Sequence, residues 1–468
     1  MLIENLSFMD IMQINLMTFV KKNYAILILT LCIIISIIFH FYLLPSHLHF
    51  AGDEATMSQA IKQIVVDHRF PSVGPSASLG NNIYHGAFFY YLFLIPGILT
   101  SFNPLGFAIF TAWLSILAII PLYIAIYKVY GTNVALFTSF IYAISFNINF
   151  YGRWEWNPNT IPVFTILTLF AFVMILENKK YYLLLATFSI AAITQLHITG
   201  YVVFPLLIYI LIVTRRKIMD LKIYILSACT FFIPIAPTII HEFKHKFEML
   251  RAILYILLHP TTHISLWSHI QHGWSTMLFI FYEIVQIDQS ILYVCIVIGL
   301  GILCTSLFQQ KNKNASYTSG FFLIILLLSF LMYAFYPSVV FLHYGEHLFP
   351  IFVILLGLTL DSFFRYKETL VAGGLLLLML IYNNLASFNE NVINGEKSFY
   401  FNKIICNTIK KNGDIRVSLI VNGELNPKPV SYICENEYNI IIASDGTKTY
   451  SVHTDYKNIF EISLSKVN

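Results

Sequence analysis

Apolar runs long enough to cross a bilayer recur along this chain, separated by short polar turns, and the alternation predicts a polytopic membrane protein. The first run, Tyr24 to Leu44, follows Lys21 and Lys22. It is longer than a signal-peptide core and has no small-residue cleavage site, so it is expected to remain as a first span. Further spans are expected near 104–127, 132–150, 159–176, 181–197, 199–213, 221–240, 290–308, 319–336, 348–362 and 369–386, about 11 transmembrane helices in all. The fold expected is an all-α polytopic membrane domain over residues 1–386, with long outer loops at 45–103 and 241–289, and a small C-terminal α/β extramembrane domain over 387–468. In that last part, alternating runs at Arg416 to Val421 and Tyr438 to Ala443 read as short strands. Inside the second loop, Phe243, Phe247, Leu250, Leu254 and Leu257 recur at helical spacing between charged residues, which predicts one amphipathic interfacial helix from His241 to Leu258.

Charge fixes the sidedness of this scheme. With the N-terminus in the cytoplasm, Lys21, Lys22, Lys128, Lys179, Lys180, Arg215, Arg216, Lys217, Lys311, Lys313, Arg365 and Lys367 all fall inside. The pattern holds only if the apolar stretch His85 to Thr100 does not cross, so that stretch is expected to be juxtamembrane or re-entrant. Composition agrees with the membrane reading: 57% of the 468 residues are hydrophobic and 11% are charged. The net charge of +4 is dispersed, with no basic stripe, and nucleic acid is excluded as a partner. The six cysteines show no CxxC spacing; Cys406 and Cys434 alone lie outside apolar segments, and the sequence leaves open whether they pair. The expected location is the cell (inner) membrane, with the active site on the outer face.

Candidate chemistry gathers in the outer segments. Asp53 and Glu54 follow directly on the first span, where a carboxylate can take a proton from an acceptor or hold a divalent cation, or simply mark the span end. Glu155 lies in Tyr151-Gly152-Arg153-Trp154-Glu155-Trp156, a short outer loop on the same face. Arg153 could clamp a phosphate bidentately, and Trp154 and Trp156 fit an interfacial belt and sugar stacking equally. The second loop is rich in histidine: His241, His245, His259, His263, His269 and His272. Asp53, Glu155, His259 and His263 are the candidate ligands for a divalent metal, with interfacial solvation the plainer reading of the histidines and Pro260 weakening a helix between the last two. His343, Tyr344 and His347, leading into the tenth span, offer donors for a lipid phosphate, although a polar helix entry explains them as well.

Taken in order, these pieces resemble the polyprenyl-phosphate-dependent glycosyltransferases of the protein mannosyltransferase and aminoarabinose transferase type, which share the GT-C fold. The resemblance covers roughly the first 365 residues. Asp53-Glu54 stands where that family carries an acidic pair after the first span, and Arg153 and Glu155 match an Arg and an acid after the third. Tyr84-His85-Gly86-Ala87-Phe88-Phe89 resembles the family's His-containing juxtamembrane stretch without its prolines, and His343-Tyr344 replaces an Arg-Tyr pair. The resemblance implies a GT-C-like fold and transfer of a sugar from a polyprenyl-phosphate donor to a lipid, glycan or protein acceptor, among membrane lipids and on the non-cytoplasmic face. It implies Asp53 as general base, Glu54 beside it, and His85, Arg153, Glu155, His343 and Tyr344 as substrate contacts. A membrane transporter or lipid-linked saccharide flippase is the alternative. The spans, however, hold few of the ionisable groups that transport pathways need, and no inverted pair of broken helices stands out. A polysaccharide polymerase or ligase would be expected to show paired arginines in a late loop, which this chain lacks.

Overall fold

The computed structural model describes residues 8–465, apart from 81, 259–264, 310–311, 396–397, 415, 424–426, 443–447 and 455–458. Eight helices among these are long and apolar enough to cross a membrane, by length and composition: Asn23–Phe41, Pro104–Tyr130, Pro158–Leu176, Leu221–Lys244, Gln289–Leu307, Lys313–Ala334, Leu342–Arg365 and Leu370–Lys411. Three shorter apolar helices, Thr132–Ile144, Tyr182–Leu196 and Ile198–Thr214, lie between them at the expected positions.

The loops at one end of this bundle are tied together by charge. Lys128 lies 3.6 Å from Glu177, and Lys180 lies 3.0 Å from Asp220. Asn314 donates to Glu177 at 2.8 Å, and Lys217 donates to the Leu176 carbonyl. The opposite ends of the same helices meet the long loops, and the candidate site lies there.

Residues 45–103 are largely structured. A helix, Gly52–Val66, follows the first span, and its start is set locally: Asp53 and Glu54 occupy the first turn, and Glu54 turns back to accept the Ala51 amide at 2.9 Å. An antiparallel pair of strands, Val73–Ser76 and Tyr84–Gly86, leads to two short helices, Phe88–Leu92 and Leu94–Leu99. Neither is long enough to cross a bilayer. Phe88, Phe89, Tyr90 and Phe93 are buried in the main core.

The second loop departs from the expectation in two ways. Instead of one amphipathic helix from His241 to Leu258, the span Leu221–Lys244 runs on through His241, and a new helix occupies Glu248–Leu258. The break falls where Lys246 and Phe247 take left-handed backbone angles, and Glu242 accepts the amides of Met249 and Leu250 at 3.2 and 3.1 Å, capping the second helix from the end of the first. Residues Leu266–Val285, expected as loop, form a 20-residue helix. Gly273 there lies so close to the Phe330 carbonyl and Ala334 that a Cβ would sit 3.0 Å from the carbonyl oxygen and 2.9 Å from the Ala334 methyl. Only glycine permits that approach of the two helices.

After Leu370–Phe388 the chain forms a helix Ser398–Lys411, a second helix Pro427–Tyr438, and a four-stranded sheet in the order Ile441–Ile442, Arg416–Gly423, Thr449–Thr454, Ile459–Ser465. The strand expected at Tyr438 to Ala443 is confined to Ile441–Ile442 in the described residues, because Tyr438 closes a helix. Cys406 and Cys434 are joined by a disulfide that ties the two helices together. Leu48, Phe50 and Trp154 share a buried cluster with Phe399, Ile405 and Tyr432, so this C-terminal module packs directly on the start of the first loop. Tyr432 donates to the Phe102 carbonyl at 2.6 Å, and the Phe50 amide donates to Ser398 at 3.0 Å.

Candidate active site

The adjacent acids Asp53 and Glu54 differ sharply in environment. Asp53 is exposed on the first turn of its helix and makes no hydrogen bond or ion pair to any described residue. Glu54 is buried, 3.9 Å from the His49 ring nitrogen, and burial raises its pKa. A third carboxyl, Glu155, is 0% exposed; Ser58 donates to one of its oxygens at 3.1 Å and the other has no partner among the described residues. Burial, with the Glu54 carboxyl nearby, holds Glu155 well above the usual carboxylate range. Of the three carboxyl groups, only Asp53 is open to solvent.

The elevated Glu155 pKa has a sign that can be measured. The folded protein binds this proton more tightly than the unfolded chain, so the contribution to stability is complete below the ordinary carboxylate pKa and is lost as pH rises through the folded value. Glu155→Gln is expected to keep the fold and to flatten the decline of melting temperature as pH rises above the ordinary carboxylate range. A variant with the wild-type pH profile would show that Glu155 is ionised in the folded protein.

Arg153 packs against the end of the first span. It is 2% exposed, and its guanidinium donates to the carbonyls of Phe39 and Tyr42, both at 2.8 Å, while lying 5.8 Å from the Phe388 ring centre. Its role is to cap the C-terminus of the first span, where unpaired carbonyls carry partial negative charge. Trp154 is buried rather than placed in an interfacial belt, packed on Phe150, Tyr151 and His49. Trp156 is half-buried and turns toward His343, with ring centres 4.5 Å apart.

That contact joins the acidic segment to a histidine cluster. The His85 and His197 rings stack at 4.5 Å, and His343 and Tyr344 lie 5.5 and 4.9 Å from His197. The strand Tyr84–Gly86 delivers His85, the break after Tyr182–Leu196 delivers His197, and the 3-10 turn Leu342–Leu348 delivers the last two. The Ile198 amide donates to His85 Nδ1 at 3.2 Å, which assigns the ring proton to Nε2. Burial lowers the His85 pKa to about 4, and His197 falls well below its ordinary value for the same reason. Burial thus disfavours the charged form of both rings. Tyr344 is paired through its hydroxyl with Ser78 at 2.6 Å, and its carbonyl accepts from Thr199 and Tyr333. Sequence reasoning missed His197; its signal was the polar break Gln195-Leu196-His197 between two apolar helices.

Two cavities flank the cluster. One, about 930 Å³, is walled almost wholly by apolar side chains, among them Ile198, Val202, Ile235, Phe247, Leu250 and Ile253, and reaches the cluster at Thr199 and Tyr336. The other, about 670 Å³, is polar: Asn147, Tyr151, Glu283, Gln286, His343 and Glu390 line it. His343 therefore borders the second cavity, while the partners of His197 and Tyr344 border the first.

Of the expected metal ligands, His259 and His263 lie outside the described residues, and neither Asp53 nor Glu155 joins a group of ligand atoms with metal-binding spacing. The group that does so among the described residues is His241, His245 and Glu248.

Residues 85–241 match the family model of the dolichyl-phosphate-mannose-protein mannosyltransferases. No curated protein matches the chain. Among solved structures, ArnT from Cupriavidus metallidurans bound to undecaprenyl phosphate superimposes with a TM-score of 0.55 at 11% identity, covering 92% of this chain and 93% of that one. The Archaeoglobus fulgidus oligosaccharyltransferase in complex with Zn and sulfate gives a TM-score of 0.53 at 12% identity, over 89% of this chain. The archaeal oligosaccharyltransferase AglB from the same organism, in complex with an inhibitory peptide and a dolichol-phosphate, gives 0.51 at 12% identity, over 90% of this chain. This chain covers only 62% and 64% of those two longer proteins. The chain thus has the GT-C fold of the polyprenyl-phosphate-dependent glycosyltransferases, and its residues 85–241 are similar in sequence to the dolichyl-phosphate-mannose-protein mannosyltransferases.

Proposed function

We propose that the protein is a glycosyltransferase that moves a sugar from a polyprenyl-phosphate donor to a lipid, glycan or protein acceptor on the non-cytoplasmic face of the cell membrane. The observation that carries this reading is the apolar cavity of about 930 Å³ ending at the histidine and tyrosine cluster. An isoprenoid chain matches the walls of the cavity, and a phosphate at its mouth would meet neutral ring N–H and hydroxyl donors from His85, His343 and Tyr344. The solved structures that share the fold and hold undecaprenyl phosphate or dolichol-phosphate support the same assignment. A transporter is not favoured, since these neighbours are transferases and the apolar cavity lacks charged residues apart from Glu242, which caps a helix.

In the proposed reaction the Asp53 carboxylate takes the proton from an acceptor hydroxyl or amine. The freed lone pair attacks the anomeric carbon, the bond from that carbon to the phosphate oxygen breaks, and the polyprenyl phosphate leaves with the electron pair. Charge grows on the phosphate as the bond breaks, and donors held in a poorly hydrated site stabilise it more than water would. The polar cavity that shares His343 gives the acceptor a route to the same point, and the C-terminal module caps the acidic side. Glu54 and Glu155, both buried, position the helix that carries Asp53 through the Ala51 amide and the Ser58 hydroxyl.

Binding tests the carrier site without requiring the acceptor. Ile253→Trp fills the apolar cavity and is expected to weaken binding of a polyprenyl monophosphate by about tenfold, ~1.4 kcal/mol, measured by native mass spectrometry in detergent. Wild-type protein that bound the phosphate no better than the free polyprenol would count against the phosphate site.

A further inference from the structure

We propose that His241, His245 and Glu248 bind one zinc-class divalent cation, which fastens the corner between the helices Leu221–Lys244 and Glu248–Leu258. The candidate ligand atoms of the three residues all lie within 4.8 Å of one another. His241 and His245 are one turn apart on the same face, with rings stacked at 4.2 Å, and His245 Nδ1 is 3.8 Å from a Glu248 oxygen. The buried member of the trio is the informative one. His241 is 7% exposed and its Nε2 has no hydrogen-bond partner among the described residues, while Ser72 lies 3.3 Å from Nδ1 and orients the ring from the other side. A buried ring with an unpartnered nitrogen, stacked on a second imidazole that itself lies against a carboxylate, is an arrangement a metal ion completes.

Two imidazoles and one carboxylate suit zinc better than magnesium or calcium, which prefer all-oxygen shells. Tetrahedral zinc with bonds of about 2.0–2.2 Å spaces its ligands by about 3.4 Å, so donors within 4.8 Å of one another must draw in by at most about 1.4 Å. His245 and Glu248 are partly exposed and can rotate to do so. The same openness leaves the fourth position to water. The consequence is mechanical: the metal would bridge the turn at Lys246 and Phe247, and residues on both sides of that turn, Phe243, Phe247, Met249, Leu250 and Ile253, wall the apolar cavity. The site assigns the metal a structural place at the cavity wall, distant in sequence from Asp53, and it does not depend on the transfer reaction proposed above.

The test reads metal directly. Tag-free protein is stripped with chelator, dialysed against zinc, and its metal content measured by plasma mass spectrometry alongside its melting temperature. About one equivalent of zinc is expected in wild type, with a rise in melting temperature. His245→Asn and Glu248→Gln, both at partly exposed positions, are expected to weaken zinc binding at least about tenfold and to abolish that rise; His241→Asn should do the same if it folds. Absence of zinc in wild type, or full retention in both exposed variants, would overturn the site. Zinc that bound without raising the melting temperature would overturn the fastening role.

Discussion

Asp53→Asn is expected to fold and melt as wild type does and to transfer sugar about 10²–10⁴-fold more slowly. The expectation follows from position. Asp53 is exposed, unpaired with any described residue, and sits at the start of a helix whose other acid, Glu54, makes the capping contact. Replacing the carboxylate by an isosteric amide removes proton acceptance and leaves that cap in place. A change in kcat with an unchanged melting temperature would mark a chemical role. A fall in melting temperature with activity kept in the folded fraction would make Asp53 a structural charge.

Arg153→Met should behave in the opposite way. The buried guanidinium satisfies the Phe39 and Tyr42 carbonyls, and its loss strands both at the end of the first span. Each unsatisfied buried acceptor costs about 1–3 kcal/mol, so a loss of about 2–5 kcal/mol is expected, visible as a large drop in melting temperature in detergent. The KM for the lipid donor in the protein that remains folded should be unchanged. An unchanged melting temperature with a raised KM would instead make Arg153 a phosphate contact.

The contrast between these two residues shows what the sequence could convey. The apolar spans and the cluster of basic residues near Lys128, Lys180 and Lys217 were legible, because length, hydropathy and charge asymmetry act locally along the chain. Helix Leu266–Val285 was not, because His269, Gln271 and His272 dilute its apolar pattern and its packing depends on one close approach at Gly273. The break at Lys246 depends on Glu242 capping residues seven and eight positions later, a contact visible only in three dimensions. Arg153 and Asp53 read alike in sequence as charged residues near span ends. Only the folded chain shows that one faces two carbonyls and the other faces water. The His85–His197–His343 cluster draws on segments separated by more than a hundred residues, and His197 carried no pattern beyond a polar break. Tyr432, which reaches Phe102 from the C-terminal module, carried no signal at all.

The most direct test of the account is transfer of labelled sugar from a panel of polyprenyl-phosphate donors by the purified protein in lipid, with wild type beside Asp53→Asn. The account predicts transfer from at least one donor by wild type, abolished or reduced about 10²-fold or more in the variant, with both proteins binding the carrier equally. Equal transfer by the two proteins would contradict the assignment of Asp53, and tight carrier binding without transfer from any donor to any acceptor would contradict the enzyme itself.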